Sequence, residues 1–211
     1  MFSPLRIKVC GMRDSSNIAE LCELGPDFIG YIFYPGSKRY VGDRPDSEIF
    51  KIAGPSIKKV GVFVDEDADQ ILRKVEKYGL DMVQLHGTES PEYCFRLVEN
   101  EISVIKAFSP VRTNSPHNIG DYIELVKYIL FDTPGDSFGG SGEKFNWELI
   151  MDYSIPFPFI LSGGIAPEDA EAVNAIQHDW LYAVDVNSRF ETSPGIKNID
   201  QVKDFIEKVR N

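Results

Sequence analysis

The sequence is poor in the features that mark secreted, membrane-bound and nucleic-acid-binding chains. Its three cysteines, Cys10, Cys22 and Cys94, fall at unrelated spacings with no C-x-x-C pair. That excludes a disulfide framework or a zinc or redox motif of that kind, and it fits a reducing compartment. The three histidines, His86, His117 and His178, stand in unrelated contexts, so no metal-ligand set is visible. No run of about 18 apolar residues occurs. The opening MFSPLRIKVCGMRD lacks the apolar stretch of a signal peptide, so the expected location is the cytoplasm, with no membrane partner. Positive charge is scarce as well: 22 Lys and Arg against 33 Asp and Glu leave a net charge of -11. Such a field repels phosphate backbones and anionic lipid, so no nucleic-acid partner is expected, and any anionic ligand must meet local positive potential. The chain also lacks a Gly/Ser tract, a charge block or a close internal repeat. Without a linker, residues 1–211 read as one domain.

What is present is an alternation. Eight short apolar runs, rich in β-branched residues, predict strands at Arg6 to Cys10, Asp27 to Phe33, Lys58 to Val64, Met82 to Leu85, Ser103 to Ala107, Tyr128 to Phe131, Phe157 to Leu161 and Leu181 to Val186. Amphipathic segments between them predict helices at Ser16 to Leu24, Asp65 to Tyr78, Ser90 to Asn100, Pro167 to Ile176 and Asp200 to Arg210, each with an acidic, Ser or Pro start signal. Asp46 to Ile52, Ile119 to Val126 and Trp147 to Met151 predict shorter helices. Eight strand-helix units in one domain give the α/β class and point to a single-domain (β/α)8 TIM barrel with some short or irregular helices. A doubly wound open sheet is the alternative architecture.

In such a barrel the active site is built at the carboxyl ends of the strands, and that is where residues unsuited to a core collect. Strand one ends in Cys10-Gly11, strand six in Asp132-Thr133, strand seven in Ser162-Gly163-Gly164 and strand eight in Asn187-Ser188. The loop after strand two carries Ser37-Lys38-Arg39, and the loop after strand six Gly139-Gly140-Ser141-Gly142. Backbone N–H groups at Gly163, Gly164, Asn187 and Ser188, joined by Ser141 and Gly142, suit a phosphate; taken singly, these glycines are ordinary turn formers. A lone cysteine is usually an apolar filler. Cys10, however, ends a strand with Lys8 two residues back on the same face, where a cation favours the thiolate that a base requires. Asp132 is either a loop cap or a half-buried acid. Acid and base on opposite sides of one mouth suit proton transfer. Arg39 is a solvated loop charge or, through its planar fork, a holder of a substrate carboxylate. His86 reads as a supporting residue.

Several of these stretches, in this order, resemble the phosphoribosylanthranilate isomerase family of tryptophan biosynthesis. Lys8-Val9-Cys10-Gly11 is similar to its K-x-C-G start, Ser37 to Val41 to its S-x-R-x-V loop and Val60 to Val64 to its VGVFV strand. Val83 to Gly87 is similar to its VQLHG, Phe131-Asp132-Thr133 to its L-D-S/T and Gly139 to Gly142 to its GGTG. The resemblance implies an Amadori rearrangement of N-(5-phosphoribosyl)anthranilate to 1-(2-carboxyphenylamino)-1-deoxyribulose 5-phosphate, with no metal or organic cofactor, by a monomer or homodimer acting on a small phosphorylated substrate. It makes Asp132 the general acid and Cys10 the general base. Arg39 would hold the anthranilate, and Gly142, Gly163, Gly164, Asn187 and Ser188 the phosphate.

The chain departs from the family in Ser162 within LSGGI, in Asn146 within FNW and in Val186-Asn187-Ser188-Arg189-Phe190-Glu191, where VSSGVE is usual. Arg189 thus replaces a glycine, and it would be strained if that position required positive φ. Alternatively, its guanidinium adds charge near the phosphate. The competing readings are another phosphate-binding barrel, such as the histidine-pathway aldose isomerase, a metal-dependent epimerase, or a non-catalytic phosphometabolite sensor. The first expects a carboxylate where Cys10 stands and the second a His/Asp ligand set, while the third needs neither Cys10 nor Asp132.

Overall fold

The computed structural model describes residues 4–109, 118–132, 147 and 156–210. Strands β1 (Arg6–Val9), β2 (Phe28–Ile32), β3 (Lys58–Phe63), β4 (Met82–Leu85), β5 (Ser103–Phe108), β6 (Tyr128–Phe131), β7 (Phe159–Leu161) and β8 (Leu181–Val186) pair in parallel in chain order. The sheet closes where β8 returns to β1, with Lys8 opposite Asp185. The barrel, not the open sheet, is the architecture. All residues of β2, β4, β6 and β7 are buried. A strand covered on both faces must be apolar on both, which is why these segments read as unbroken hydrophobic runs.

Alternation divides the core in two. Ile7, Val9, Ile29, Tyr31, Val83 and Leu85 point outward and pack with the helices. Phe28, Val60, Met82, Ile105, Tyr128, Leu130, Ile160 and Ala183 point inward and fill the barrel. Each such side chain removed from water contributes about 1.5–3 kcal/mol. Toward the carboxyl ends the inward positions turn polar, with Lys8, Gln84, Asp185 and Ser162 all buried. The barrel is filled with apolar side chains at one end and chemically equipped at the other.

The covering layer comprises α1 (Ser15–Glu23), α2 (Ala68–Tyr78), α3 (Pro91–Val98), α4 (Ala170–Asn174) and α5 (Ile199–Arg210). Asp14, Asp67 and Ser90 cap the first three, each side chain accepting from a backbone N–H three residues on. The α2 helix starts later than its acidic stretch suggests. Asp65 sits at φ 47, outside the helix, and accepts from Thr88 N at 2.7 Å. Pro167–Asp169 forms a separate 3-10 turn before α4, and two expected helices contract to 3-10 turns at Ser47–Phe50 and Ile119–Tyr122. At the first of these, Phe50 does the covering. Its ring lies 4.6 Å from Tyr31 and 4.4 Å from Tyr78, centroid to centroid, so one aromatic wedge closes the gap that a longer helix would fill. A hairpin of β9 (Glu191–Ser193) and β10 (Ile196–Lys197) follows β8; it was not expected from the sequence, although Pro194-Gly195 marks its turn. The expected helix at Trp147 to Met151 lies, apart from Trp147, outside the described residues. Among the described residues, no helix is long and apolar enough to cross a membrane.

Candidate active site

Cys10 follows β1, and its N–H donates to Val186 O at 2.9 Å, which fixes it at the mouth between β1 and β8. Its thiol packs with Ile32 and Val62. The neighbouring strand must yield space here: a Cβ on Gly30 would stand 2.7 Å from Cys10 Sγ, so only glycine lets β2 run this close to the thiol. Just below, Lys8 Nζ meets Asp185 Oδ2 at 2.8 Å, with the lysine side chain fully buried. Burial alone would lower the Lys8 pKa, but the Asp185 carboxylate and the Cys10 thiol outweigh it and hold the ammonium charged. Lys8 does favour the Cys10 thiolate, through its charge and a hydrogen bond, but it does not prevail. Burial pushes the thiol up, and Lys8, shared with Asp185, only partly offsets that.

Arg39 is buried, not a solvated loop charge. Its Nε and Nη2 donate to Glu191 at 2.8 and 2.7 Å, and Lys197 Nζ donates to the same carboxylate at 2.6 Å. Two cations on one buried carboxylate lower the Glu191 pKa: burial works against ionisation, but the Arg39 hydrogen bonds and the Lys197 charge exceed it. The fork therefore arrives at the mouth already half used, leaving its Nη1 side for a second carboxylate. Lys197 also donates to Asn187 Oδ1 at 2.8 Å. Arg39 Cδ and Asn187 Oδ1 flank Gly11, each 2.7 Å from where its Cβ would be. Arg39, Asn187 and the Cys10-Gly11 turn thus form one cluster.

Across the mouth, Asp132 follows β6, tied by its N–H to Phe108 O at 3.0 Å. Its Oδ2 lies 3.1 Å from His86 Nε2, and His86 Nδ1 lies 2.9 Å from Gln84 Nε2. The Asp185 carboxyl feels the charges of Lys8, Asp132 and His86, which places it between the β1 and β6 sides. After β7, Gly163 and Gly164 take φ 89 and 68, a left-handed pair that no ordinary side chain adopts cheaply. Their loop adjoins the turn after β8, where Ser188–Phe190 forms a single 3-10 turn, because β7 and β8 are paired up to Leu161 and Val184. Arg189 is in that turn and is not among the positive-φ residues, so the condition under which it would be strained is not met. Gly142, with Ser141, lies outside the described residues. Among the described residues, no three His, Cys, Asp or Glu side chains converge on a point that could hold a metal ion.

The family model of N-(5'-phosphoribosyl)anthranilate (PRA) isomerase matches residues 7–208. The chain belongs to this family. It is 43% identical to the N-(5'-phosphoribosyl)anthranilate isomerase of Parabacteroides distasonis over 204 residues, which cover 96% of this chain and 92% of the relative. The phosphoribosyl anthranilate isomerase structure from Thermotoga maritima aligns with a TM-score of 0.85 at 37% identity, covering 97% of this chain and 98% of that one. Another, solved in complex with reduced 1-(o-carboxyphenylamino)-1-deoxyribulose 5-phosphate, aligns with a TM-score of 0.79 at 34% identity, with the same coverage.

Within this family frame, the fold draws Cys10, Arg39, Asn187 and Ser188 to one side of the mouth, Gly163 and Gly164 to the adjoining rim and Asp132 to the other side. Reading the sequence alone passed over Asp185, Glu191, Lys197 and the approach at Gly30. Asp185 had a signal, as a carboxylate at an inward position of an apolar strand. Glu191 stands at the Glu of the family's VSSGVE, but its pairing with Arg39, 152 residues away, and with Lys197 left no local pattern to read.

Proposed function

We propose that Asp132 and Cys10 are the acid and base of the family's reaction, the Amadori rearrangement of N-(5'-phosphoribosyl)anthranilate in tryptophan biosynthesis. Asp132 gives its proton to the ribose ring oxygen as the bond from that oxygen to C1' breaks, and the nitrogen lone pair forms the Schiff base. The Cys10 thiolate then takes the C2' proton, and the electrons of that C–H bond give the enolamine. Transfer of the C2' hydroxyl proton, with protonation at C1', yields the aminoketone. Arg39, oriented by Glu191, pairs its Nη1 side with the anthranilate carboxylate. Gly142, Gly163, Gly164, Asn187 and Ser188 surround the phosphate with N–H groups. The whole chain acts as one domain on this small phosphorylated molecule, in the cytoplasm, as monomer or homodimer. The three unpaired cysteines agree with that compartment.

The observation that supports the assignment is a cysteine that follows β1 and a carboxyl that follows β6 at the same end of one barrel, with buried Asp185 near enough for its charge to act on both. The test generates the substrate in the cuvette and follows the decay of its anthranilate fluorescence. Cys10→Ser and Asp132→Asn are each expected to lower kcat by about 10²–10⁴ while affinity for a product analogue holds. Near wild-type turnover in either variant removes that residue from its role.

A further inference from the structure

Gln84 reaches the acid only through a histidine, and the direction of that contact has a chemical consequence. The amide is buried in the barrel wall at 1% exposure, on β4, the strand that leads to His86. Its Nε2 lies 2.9 Å from His86 Nδ1, while its Oε1 is buried with no hydrogen-bond partner among the described residues. His86 Nε2 lies 3.1 Å from Asp132 Oδ2. An amide nitrogen only donates, so Nδ1 must accept, and the single N–H of the neutral ring is then on Nε2, facing the carboxyl. The reverse orientation would make the two-donor NH2 the buried orphan and would turn the Nε2 lone pair toward Asp132. Relief would then require the acid's proton to sit on Oδ2, against the histidine. Charged groups near His86 on other strands are, among the described residues, Asp132 after β6, Asp185 on β8 and Lys106 on β5, whose Nζ donates to Leu85 O and Gly87 O on either side of the histidine and is paired with Glu89.

We propose that Gln84 is a positioning residue that holds His86 as the Nε2–H tautomer, so that His86 donates to Oδ2 of Asp132 and the transferable proton resides on Oδ1. This rests on Asp132 being the acid. An imidazole N–H on one oxygen also stabilises the carboxylate left after proton transfer, which makes the same contact useful before and after the step.

The test is a long-range 1H–15N NMR spectrum of the 15N-labelled, substrate-free enzyme, with His86 assigned by the signals lost in His86→Gln. The expected result is a protonated Nε2 and an unprotonated Nδ1 at neutral pH. Gln84→Leu removes the donor without stranding a bonded Oε1, and should give a mixture of tautomers. Its kcat should fall about tenfold, the scale on which an imidazole's orienting partner acts, with affinity for the reduced product analogue unchanged. Gln84→Glu accepts instead of donating, and should place a proton on Nδ1 with a further loss of kcat. A wild-type ring protonated on Nδ1, or Gln84→Leu with wild-type kcat, overturns the proposal. If Asp132→Asn keeps wild-type turnover, the acid assignment falls and the proposal with it, a result distinct from a wrong tautomer.

Discussion

The two sides of the barrel mouth handle protons in opposite ways. Around Cys10, on the β1–β8 side, charges are dense and paired: Lys8 with Asp185, and Arg39 and Lys197 sharing Glu191, which leaves one positive charge in excess. Around Asp132, on the β4–β6 side, the contacts among the described residues include an imidazole and, through it, an amide, and His86 and Asp132 keep 22% and 15% of their side-chain surface in contact with solvent. The buried ion pair described at that rim, Lys106 with Glu89, is held by β5 and the loop after β4. A buried thiol must be helped to ionise, which needs fixed charge nearby, and buried fixed charge then needs opposite charge beside it. An acid at a partly wet rim needs only its proton aimed.

The largest expected effect that would break this contrast is on stability. Asp185→Asn leaves a buried ammonium without a carboxylate and should cost about 3–5 kcal/mol in urea unfolding. The neutral exchange His86→Gln on the acid side should cost under about 1.5 kcal/mol. Equal losses would mean that the two sides do not differ in the way their charges are balanced. Next is Gly30→Ala. Its added methyl meets Cys10 Sγ at 2.7 Å and the Cys10 Cα at 3.1 Å, so overpacking should lower stability by about 1–3 kcal/mol. Turnover should fall further than that because the base is displaced, and an unshifted kcat would detach Gly30 from the site. The smallest effect is a slope with pH. Glu191 has its pKa lowered in the folded protein, so its contribution is present above the ordinary glutamate range and is lost as the pH falls below it. Unfolding free energies of the wild type and Glu191→Gln should therefore converge as the solution is acidified, and a constant gap would show that Glu191 titrates alike when folded and unfolded.

Much of the barrel was legible in advance. Strands β4, β6 and β8 begin and end where their apolar runs do, because a strand buried on both faces has no alternative composition. The less regular coverings were harder. A 3-10 turn with one well-placed Phe50 and a helix of the same register look alike over seven residues. The hairpin that delivers Glu191 and Lys197 is short and polar, and it lacks the alternation that marks a longer strand. At the site, Cys10, Asp132, Arg39 and the glycine pair were visible because each breaks the pattern of its surroundings. The state of each was not visible: Lys8 does favour the thiolate, but burial outweighs it and the ammonium is shared with Asp185, 177 residues away.

What the sequence determined by itself is therefore the order of the eight strands and the kinds of residue at the strand ends, since these follow from local pattern and chain order, while closure through β8 and β1 is seen in the fold. Only the tertiary structure decided which charge faces which: Lys8 with Asp185, Arg39 with Glu191 and Lys197, and His86 between Gln84 and Asp132. Closing the barrel sets the first strand against the last, and the field at a buried thiol or carboxyl depends on neighbours that no stretch of sequence brings together.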